Sequence, residues 1–327
     1  MKAVIIDDDK KLNWQDFATP EPGPDEVLIK IHATAINRAD LIQRQGFYAP
    51  PPGASPVMGL ECAGEVTGLG KNVSKFSVGD RVCALLAGGG YAEFAAVDAG
   101  SVLPMPGGSS FVHGACLPEV FATAWLNLFI EAKLQPAEKV ILHAGASGVG
   151  TAAIQLCKSF GSPCFVTAGT DAKIDTCIEL GAQSGSNRNE GSFLDKARAF
   201  AGDSGIGVIL DPVGGAYLGD NIELLGLNGR LVLIGLMGGN KAEIDLGAML
   251  MKRIRVIGST LRSRPLAEKA LVMGELYEHV WPKIESAEIR PILDTVFPIE
   301  EVEAAHELVA SDKTIGKVVL TVTALGK

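Results

Sequence analysis

The sequence predicts an α/β protein built from a β-rich part and a doubly wound parallel-sheet part, and three observations predict it. Residues 1 to about 118 carry short apolar runs separated by Gly, Pro and Asp. After Lys133-Leu134-Gln135-Pro136 strand-like runs alternate with helix-length segments, the pattern of a parallel sheet covered on both faces. From about residue 263 the first texture returns. A chain of 327 residues has room for two domains. The expected division is a β-rich domain over 1–120, a nucleotide-binding domain over 121–262, and a return segment over 263–327 that completes the first.

Each element has a local reason. Glu26 to Ile31, Glu61 to Val66 and Arg81 to Leu86 are β-rich runs flanked by turn residues such as Pro22-Gly23-Pro24 and Val78-Gly79-Asp80. Asp7-Asp8-Asp9-Lys10-Lys11 reads as a solvated hairpin turn. In the middle of the chain the expected order is strand Lys139 to Ala144, helix Gly148 to Phe160, strand Cys164 to Ala168 and helix Asp171 to Leu180. Strand Gly207 to Leu210, helix Tyr217 to Leu225 and strand Arg230 to Ile234 follow, and Arg255-Val256-Ile257-Gly258 is a candidate edge strand. The return segment supplies a helix over Pro265 to Trp281, a strand over Pro291 to Val296, an amphipathic helix over Glu300 to Ala310 and a closing strand from Gly316 to Val322.

Composition excludes several classes. With 47% hydrophobic and 20% charged residues the chain is globular rather than disordered. A net charge of -9, from 29 Lys+Arg against 38 Asp+Glu, argues against nucleic acid or anionic membrane as a partner. The six cysteines contain no CxxC pair, so reduced, buried thiols are expected rather than a disulfide or zinc framework. Met1 to Asp9 lacks the apolar core of a secretory signal, no apolar run reaches the length of a membrane span, and the final Leu325-Gly326-Lys327 matches no targeting address. A soluble cytoplasmic protein is expected.

The chemistry-bearing motif is Val140-Ile141-Leu142-His143-Ala144-Gly145-Ala146-Ser147-Gly148-Val149-Gly150, running into Thr151-Ala152-Ala153-Ile154-Gln155. A strand, a small-residue turn and a helix N-terminus form an anion site, because free amides and the helix dipole attract a pyrophosphate and small residues let it approach. The loop is a variant of GxGxxG with Ser147 at the middle position, and its place within a βαβ succession predicts dinucleotide binding. An NAD site carries an acid about 20 residues on, whereas the second strand here ends in Ala168-Gly169-Thr170. That small tip, with Thr170 as a donor and Lys173 and Arg188 as cations, favours NADPH over NADH; Asp171 is the counter-evidence. Ile209-Leu210-Asp211-Pro212-Val213-Gly214-Gly215 and Ile234-Gly235-Leu236-Met237-Gly238-Gly239 are further strand ends on the ligand edge. His143 reads as a hydrogen-bonded core residue rather than a base.

These motifs resemble the medium-chain dehydrogenase/reductase superfamily, specifically its quinone oxidoreductase (zeta-crystallin-like) branch. The resemblance is carried by Asn37-Arg38-Ala39-Asp40-Leu41, Gln45-Gly46-Phe47-Tyr48, Gly59-Leu60-Glu61, Gly88-Gly89-Gly90-Tyr91-Ala92-Glu93, Pro118-Glu119-Val120, the glycine loop and Ile315-Gly316-Lys317. It implies a GroES-like catalytic domain, a Rossmann domain and a cleft between them. Zinc-dependent members have a ligand Cys where this chain has Asn37 and a His where it has Leu60; neither residue here suits zinc. Without a Lewis acid, acceptors that take hydride readily are implied: quinones, or alternatively alkenals and enones. An NADPH-binding redox sensor or structural protein is the non-enzyme alternative.

By the same resemblance, Asn37 orients the nicotinamide or substrate by hydrogen bonding, and Tyr48 contacts cofactor or stacks on substrate and can donate a proton. Thr123 reaches the nicotinamide, while Ser147, Gly148 and Val149 contact the pyrophosphate. Gly169, Thr170 and Lys173 hold the 2′-phosphate, with Arg188 where the family often has Tyr. Met237 and Gly238 border the nicotinamide ribose. Leu261, Arg262 and Lys317 lie near the cofactor. Relatives pair through edge strands, so a homodimer is implied.

Overall fold

The structure is a computed structural model that describes residues 1–322; the final Leu325-Gly326-Lys327 lies outside them. The chain divides into two compact units, Met1–Ala122 with Leu261–Lys327, and Thr123–Thr260.

The first unit is built on a seven-stranded sheet. Its central strand, Glu26–Ala35, alternates fully and partly buried side chains over most of its length, with Lys30 exposed. It pairs antiparallel with Glu61–Leu69 on one side. On the other it pairs with Phe94–Asp98 through its first half and with Lys317–Thr321 through its last residues. Arg81–Leu85 and Val102–Pro104 extend one end of the sheet, and Leu293–Pro298 runs parallel to Lys317–Thr321 at the other. Val27, Ile29, Ile31, Cys62, Val82 and Val102 fill one core. A second core joins the N-terminal hairpin residues Ala3 and Val4 to Tyr91, Ile299, Val302 and Ala305. The hairpin strands Lys2–Ile6 and Leu12–Asp16 meet through the predicted acidic turn, where the Asp7 amide donates to Lys11 O at 3.0 Å.

The return segment is thus stitched into the sheet, and its helix Leu266–His279 ends before a second short helix, Trp281–Glu285. Trp281, 2% exposed, donates its Nε1–H to Pro104 O at 2.8 Å. One continuous helix to Trp281 was the expectation; Pro282 starts a new helix at its first turn instead.

The second unit is a six-stranded, all-parallel sheet. Its spatial order is Ser184–Asn187, Cys164–Ala168, Val140–Leu142, Ile206–Asp211, Leu225–Leu233 and Arg255–Gly258. Taken in chain order this is 3-2-1-4-5-6, the doubly wound dinucleotide-binding arrangement, with a crevice where the order reverses between Val140–Leu142 and Ile206–Asp211. Ile141, Phe165, Ile209, Leu225 and Leu231 form the buried layer beneath Phe193 and Ala197. Ser184–Asn187 was not anticipated, because Ser-Gly-Ser-Asn has turn composition; a parallel neighbour, Phe165–Ala168, makes it a strand. Among the described residues no helix is long and apolar enough to cross a membrane.

Replacing Trp281 by Phe removes the bond to Pro104 and leaves part of the indole volume empty. Urea denaturation of Trp281→Phe is expected to show a loss of about 2–4 kcal/mol; wild-type stability would mean that this contact does not anchor the return segment.

Candidate active site

In the first unit the site residues gather at the end of the central strand. Asn37 follows Glu26–Ala35 and precedes the helix Arg38–Arg44, whose Asp40 carboxylate accepts the Asn37 amide at 2.8 Å. The closing strand brings Lys317 to the same place. Gly316 makes this possible: it has φ +83°, and a β-carbon there would collide with Ile292 O.

Lys317 and Glu61 form a buried ion pair at 2.8 Å, with side chains 4% and 0% exposed. The ammonium also donates to Ile36 O at 2.8 Å and to Asn37 Oδ1 at 2.7 Å. Glu61 Oε1 accepts Asn37 Nδ2 at 2.9 Å, and Oε2 accepts the Glu119 amide at 2.9 Å. All three ammonium protons are therefore used inside the protein. Lys317 thus holds Asn37, beside which the cofactor is expected. Since an ammonium can only donate, the Asn37 amide is oriented without ambiguity. Its Nδ2 protons go to Glu61 and to Ala35 O at 3.3 Å. With both protons used, the hydrogen-bonding capacity left on the amide is a lone pair on Oδ1.

Tyr48 lies on the loop after this helix, half-buried, under the guanidinium of Arg262 at 5.1 Å from the ring centroid. Arg262, 4% exposed, donates to Ala87 O at 2.8 Å, Tyr48 O at 3.1 Å and Gln43 Oε1 at 2.8 Å. Its guanidinium thereby clamps the Tyr48 loop. Leu261 is buried at 6% exposure. Burial, reinforced by Glu119, raises the Tyr48 phenol, although Arg262 works against the shift, so the ring keeps its proton at neutral pH.

Behind Asn37 lies a second buried network with no sequence signal. Asp40 accepts from Gly59 N at 3.2 Å and from the Tyr91 hydroxyl at 3.1 Å, and that hydroxyl meets His306 Nε2 at 3.2 Å. Tyr91 has one proton, so either Asp40 is ionised and His306 donates to Tyr91, or Asp40 is protonated and the donors run the other way. Burial raises Asp40 to about 6, against the pull of its donors and of Lys317, and burial with the Arg44 charge lowers His306 to about 3.

In the second unit the predicted residues line the carboxyl ends of the parallel strands. Ser147 caps the helix Gly148–Ser159, its Oγ accepting Gly150 N at 3.1 Å, and Gly148 and Val149 open the first turn, partly exposed. A β-carbon on Gly150 would run into Gly145 O, so the loop packs only with glycine there. Thr170 caps the helix Asp171–Leu180 through Lys173 N at 3.3 Å; Gly169 is buried and its carbonyl accepts Asn189 Nδ2 at 2.7 Å. Lys173 is only 7% exposed, whereas Arg188 is exposed. The Asp171 carboxylate takes Asn187 Nδ2 at 3.2 Å. Met237 and Gly238 are exposed on a loop held by Met237 N to Pro212 O at 3.2 Å and Gly238 N to Val213 O at 2.7 Å. Thr123 is partly buried, and its carbonyl accepts Asn127 Nδ2 at 2.7 Å. A helix terminus with free amides, a glycine cradle and a strand order with a switch point fit a dinucleotide.

Comparison with known proteins agrees with this geometry. An alcohol dehydrogenase GroES-like domain matches residues 23–107 and a zinc-binding dehydrogenase domain matches residues 148–275. The rat quinone oxidoreductase is 32% identical over 307 residues, 93% of this chain and 92% of that protein. The chain belongs to the quinone oxidoreductase branch of the medium-chain dehydrogenase/reductase superfamily. Solved relatives include the Thermus thermophilus quinone oxidoreductase, studied alone and with NADPH (30% identity, TM-score 0.83, 98% of this chain and 100% of that one). The Escherichia coli quinone oxidoreductase complexed with NADPH is 25% identical with a TM-score of 0.86, covering 98% of each chain. An enoyl reductase, CurK, is also similar (28%, TM-score 0.81, 95% of each). The zinc in one family description does not fit these residues: Leu60 is in the core at 1% exposure, and the Lys317 ammonium already lies against Asn37 and Glu61.

Stability measurements test both networks. Lys317→Met leaves Glu61 charged and buried, and should cost about 3–5 kcal/mol in urea denaturation, much of it restored in Glu61→Gln/Lys317→Met. Equal loss in both would show that the ion pair is not the anchor. The pH dependence separates Asp40 from His306. An acid raised from 3.8 to about 6 adds stability that is lost as pH rises through that interval. A base lowered from 6.5 to about 3 adds stability that is lost as pH falls through its interval. The slopes oppose each other between about pH 4 and 6, so His306→Gln, relative to wild type, should lose up to about 1.4 kcal/mol per unit rise in pH. Parallel curves for the two proteins would contradict this assignment.

Proposed function

We propose that the protein is an NADPH-dependent, zinc-independent quinone reductase. The observation that carries this reading is the dinucleotide cradle at the switch point of the second unit, in a chain whose Asn37 and Glu61 hold a lysine ammonium where a metal would need room. NADPH supplies the hydride when bound. Ser147, Gly148 and Val149 would hold its pyrophosphate, and Gly169, Thr170, Lys173 and Arg188 its 2′-phosphate. Thr123, Met237, Gly238 and Leu261 would border the nicotinamide side. Asn37, held by Lys317 and Glu61, would accept a hydrogen bond from a carboxamide N–H or from a hydroxyl of reduced product. Tyr48, protonated and fixed by Arg262, would stack on a flat acceptor and can donate its phenolic proton. The similarity to an enoyl reductase keeps alkenal or enone reduction as the second reading.

The protein is further read as a cytoplasmic homodimer. All six cysteines are unpaired and buried, as in a reducing compartment. Arg255–Gly258 ends its sheet as an unpaired edge, and the nearby helix Leu246–Lys252 exposes Leu246, Leu250 and Met251 at 71–77%. Light scattering should report twice the chain mass.

Following the absorbance of reduced nicotinamide with ortho- and para-quinones, alkenals and enones tests the activity. Turnover with quinones is expected; tight NADPH binding with no turnover on any acceptor would remove both enzyme readings. Lys173→Ala should weaken NADPH by roughly tenfold or more and NADH little, and equal weakening would defeat the 2′-phosphate assignment. Elemental analysis should find no stoichiometric zinc, and one zinc per chain would overturn the zinc-independent reading.

A further inference from the structure

At the switch point of the parallel sheet one hydrogen-bond chain crosses three strand ends. His143, 3% exposed, follows Val140–Leu142; Thr167, 2% exposed, is near the end of Cys164–Ala168; Asp211, 0% exposed, ends Ile206–Asp211. His143 Nδ1 meets Thr167 Oγ1 at 3.0 Å, and Nε2 meets Asn221 Oδ1 at 2.8 Å. Asn221, 0% exposed, passes the chain on through Nδ2 to Asp211 Oδ2 at 3.0 Å. Asp211 Oδ1 accepts Val213 N at 2.6 Å and Gly214 N at 3.1 Å. At the other end Thr167 Oγ1 accepts Ala144 N at 3.4 Å and Thr167 O accepts Gly145 N at 2.9 Å.

The donors can be placed one after another. An ionised Asp211 can only accept, so Asn221 turns its Nδ2 toward it and its Oδ1 toward His143. His143 must then carry its proton on Nε2, leaving Nδ1 as the acceptor of the Thr167 hydroxyl. A second proton on the ring would reverse the bond, turning the Thr167 hydroxyl into the acceptor and leaving its own proton without this partner. Burial lowers the His143 imidazole despite the nearby carboxylates of Asp211 and Asp220, which keeps it neutral. Phe193 and Tyr217 pack against the ring at 5.0 and 4.8 Å between centroids and shut out water.

Each end of this chain grips a backbone that needs holding. Ala144 has φ +54°, a left-handed conformation that costs a residue with a β-carbon about 1–2 kcal/mol, and it begins the glycine loop. Gly214, at φ +80°, lies in the turn to which Met237 and Gly238 are tied. Asn221 carries no recognisable motif.

We propose that Thr167, His143, Asn221 and Asp211 act as one positioning relay that locks the Ala144–Ser147 and Pro212–Gly214 loops in register, and so sets the affinity for NADPH. The relay rests on the NADPH reading above. None of its side chains reacts; their role is to hold two loops that leave the strand ends on the crevice edge. Breaking it should therefore appear in cofactor binding before it appears in turnover.

The test compares Thr167→Val, close in shape but without the hydroxyl, with Thr167→Ser, which keeps it. In fluorescence titration of the full chain, Thr167→Val should raise the Kd for NADPH roughly tenfold and Thr167→Ser about twofold at most. The KM for NADPH should rise with the Kd in Thr167→Val, while kcat at saturating NADPH falls far less. Isotope-edited NMR of the imidazole nitrogens in the wild-type chain should show His143 neutral and protonated at Nε2. Wild-type affinity in Thr167→Val, or a His143 proton on Nδ1, would overturn the relay, and the NMR decides whether or not the valine variant folds. Failure of the wild type itself to bind NADPH would instead remove the cofactor reading.

Discussion

Glu61, without solvent exposure, shares one carboxylate oxygen between the Lys317 ammonium and the Asn37 amide and receives the Glu119 backbone on the other. A charge so placed is tolerated only if every lone pair facing the interior is met, because the penalty of desolvation otherwise exceeds the attraction. Meeting that condition requires the last strand to return beside the first half of its unit, with Gly316 turning immediately before it. The ion pair thus links chain topology to site chemistry. It ties the closing strand to Glu61–Leu69, fixes the orientation of the Asn37 side chain and fills with an ammonium the surroundings that a metal would need.

The two units use buried polarity in the same manner. In the first, Asp40, Tyr91 and His306 stand behind Asn37; in the second, Thr167, His143, Asn221 and Asp211 stand behind the glycine loop. Asn37 and the residues that open the glycine helix are partly exposed, and the groups holding them are buried. Such networks are costly when incomplete and rigid when complete. Arg262 extends the pattern to Tyr48, fixing both the ring and the carbonyl of its loop.

Much of this was legible in the sequence. Cys164–Ala168 and Asp171–Leu180 have the predicted bounds, since a β-rich run and a capped helix with a terminal Gly181 are encoded locally. The glycine loop was readable because small residues at fixed offsets are demanded by backbone approach. Ser184–Asn187 was not readable, because its strand character comes from a neighbour rather than from its own residues. Nor were the roles of Lys317 and Arg262. A long cationic side chain can reach a ligand or a protein acceptor, and its partners Ile36, Asn37, Glu61, Gln43, Tyr48 and Ala87 are more than 170 residues away in sequence.

By itself the sequence determined the two fold types, the dinucleotide loop, the mismatch with zinc and the family, because each depends on residue type at short spacing. Only the tertiary structure decided what the titratable and cationic groups do. It made Lys317 a partner of Glu61, made Arg262 a clamp on the Tyr48 loop, and set His143 between Thr167 and Asn221, the latter 78 residues away in sequence. Hydrogen-bond direction and burial are properties of surroundings, and those surroundings exist only once distant strand ends have been brought together.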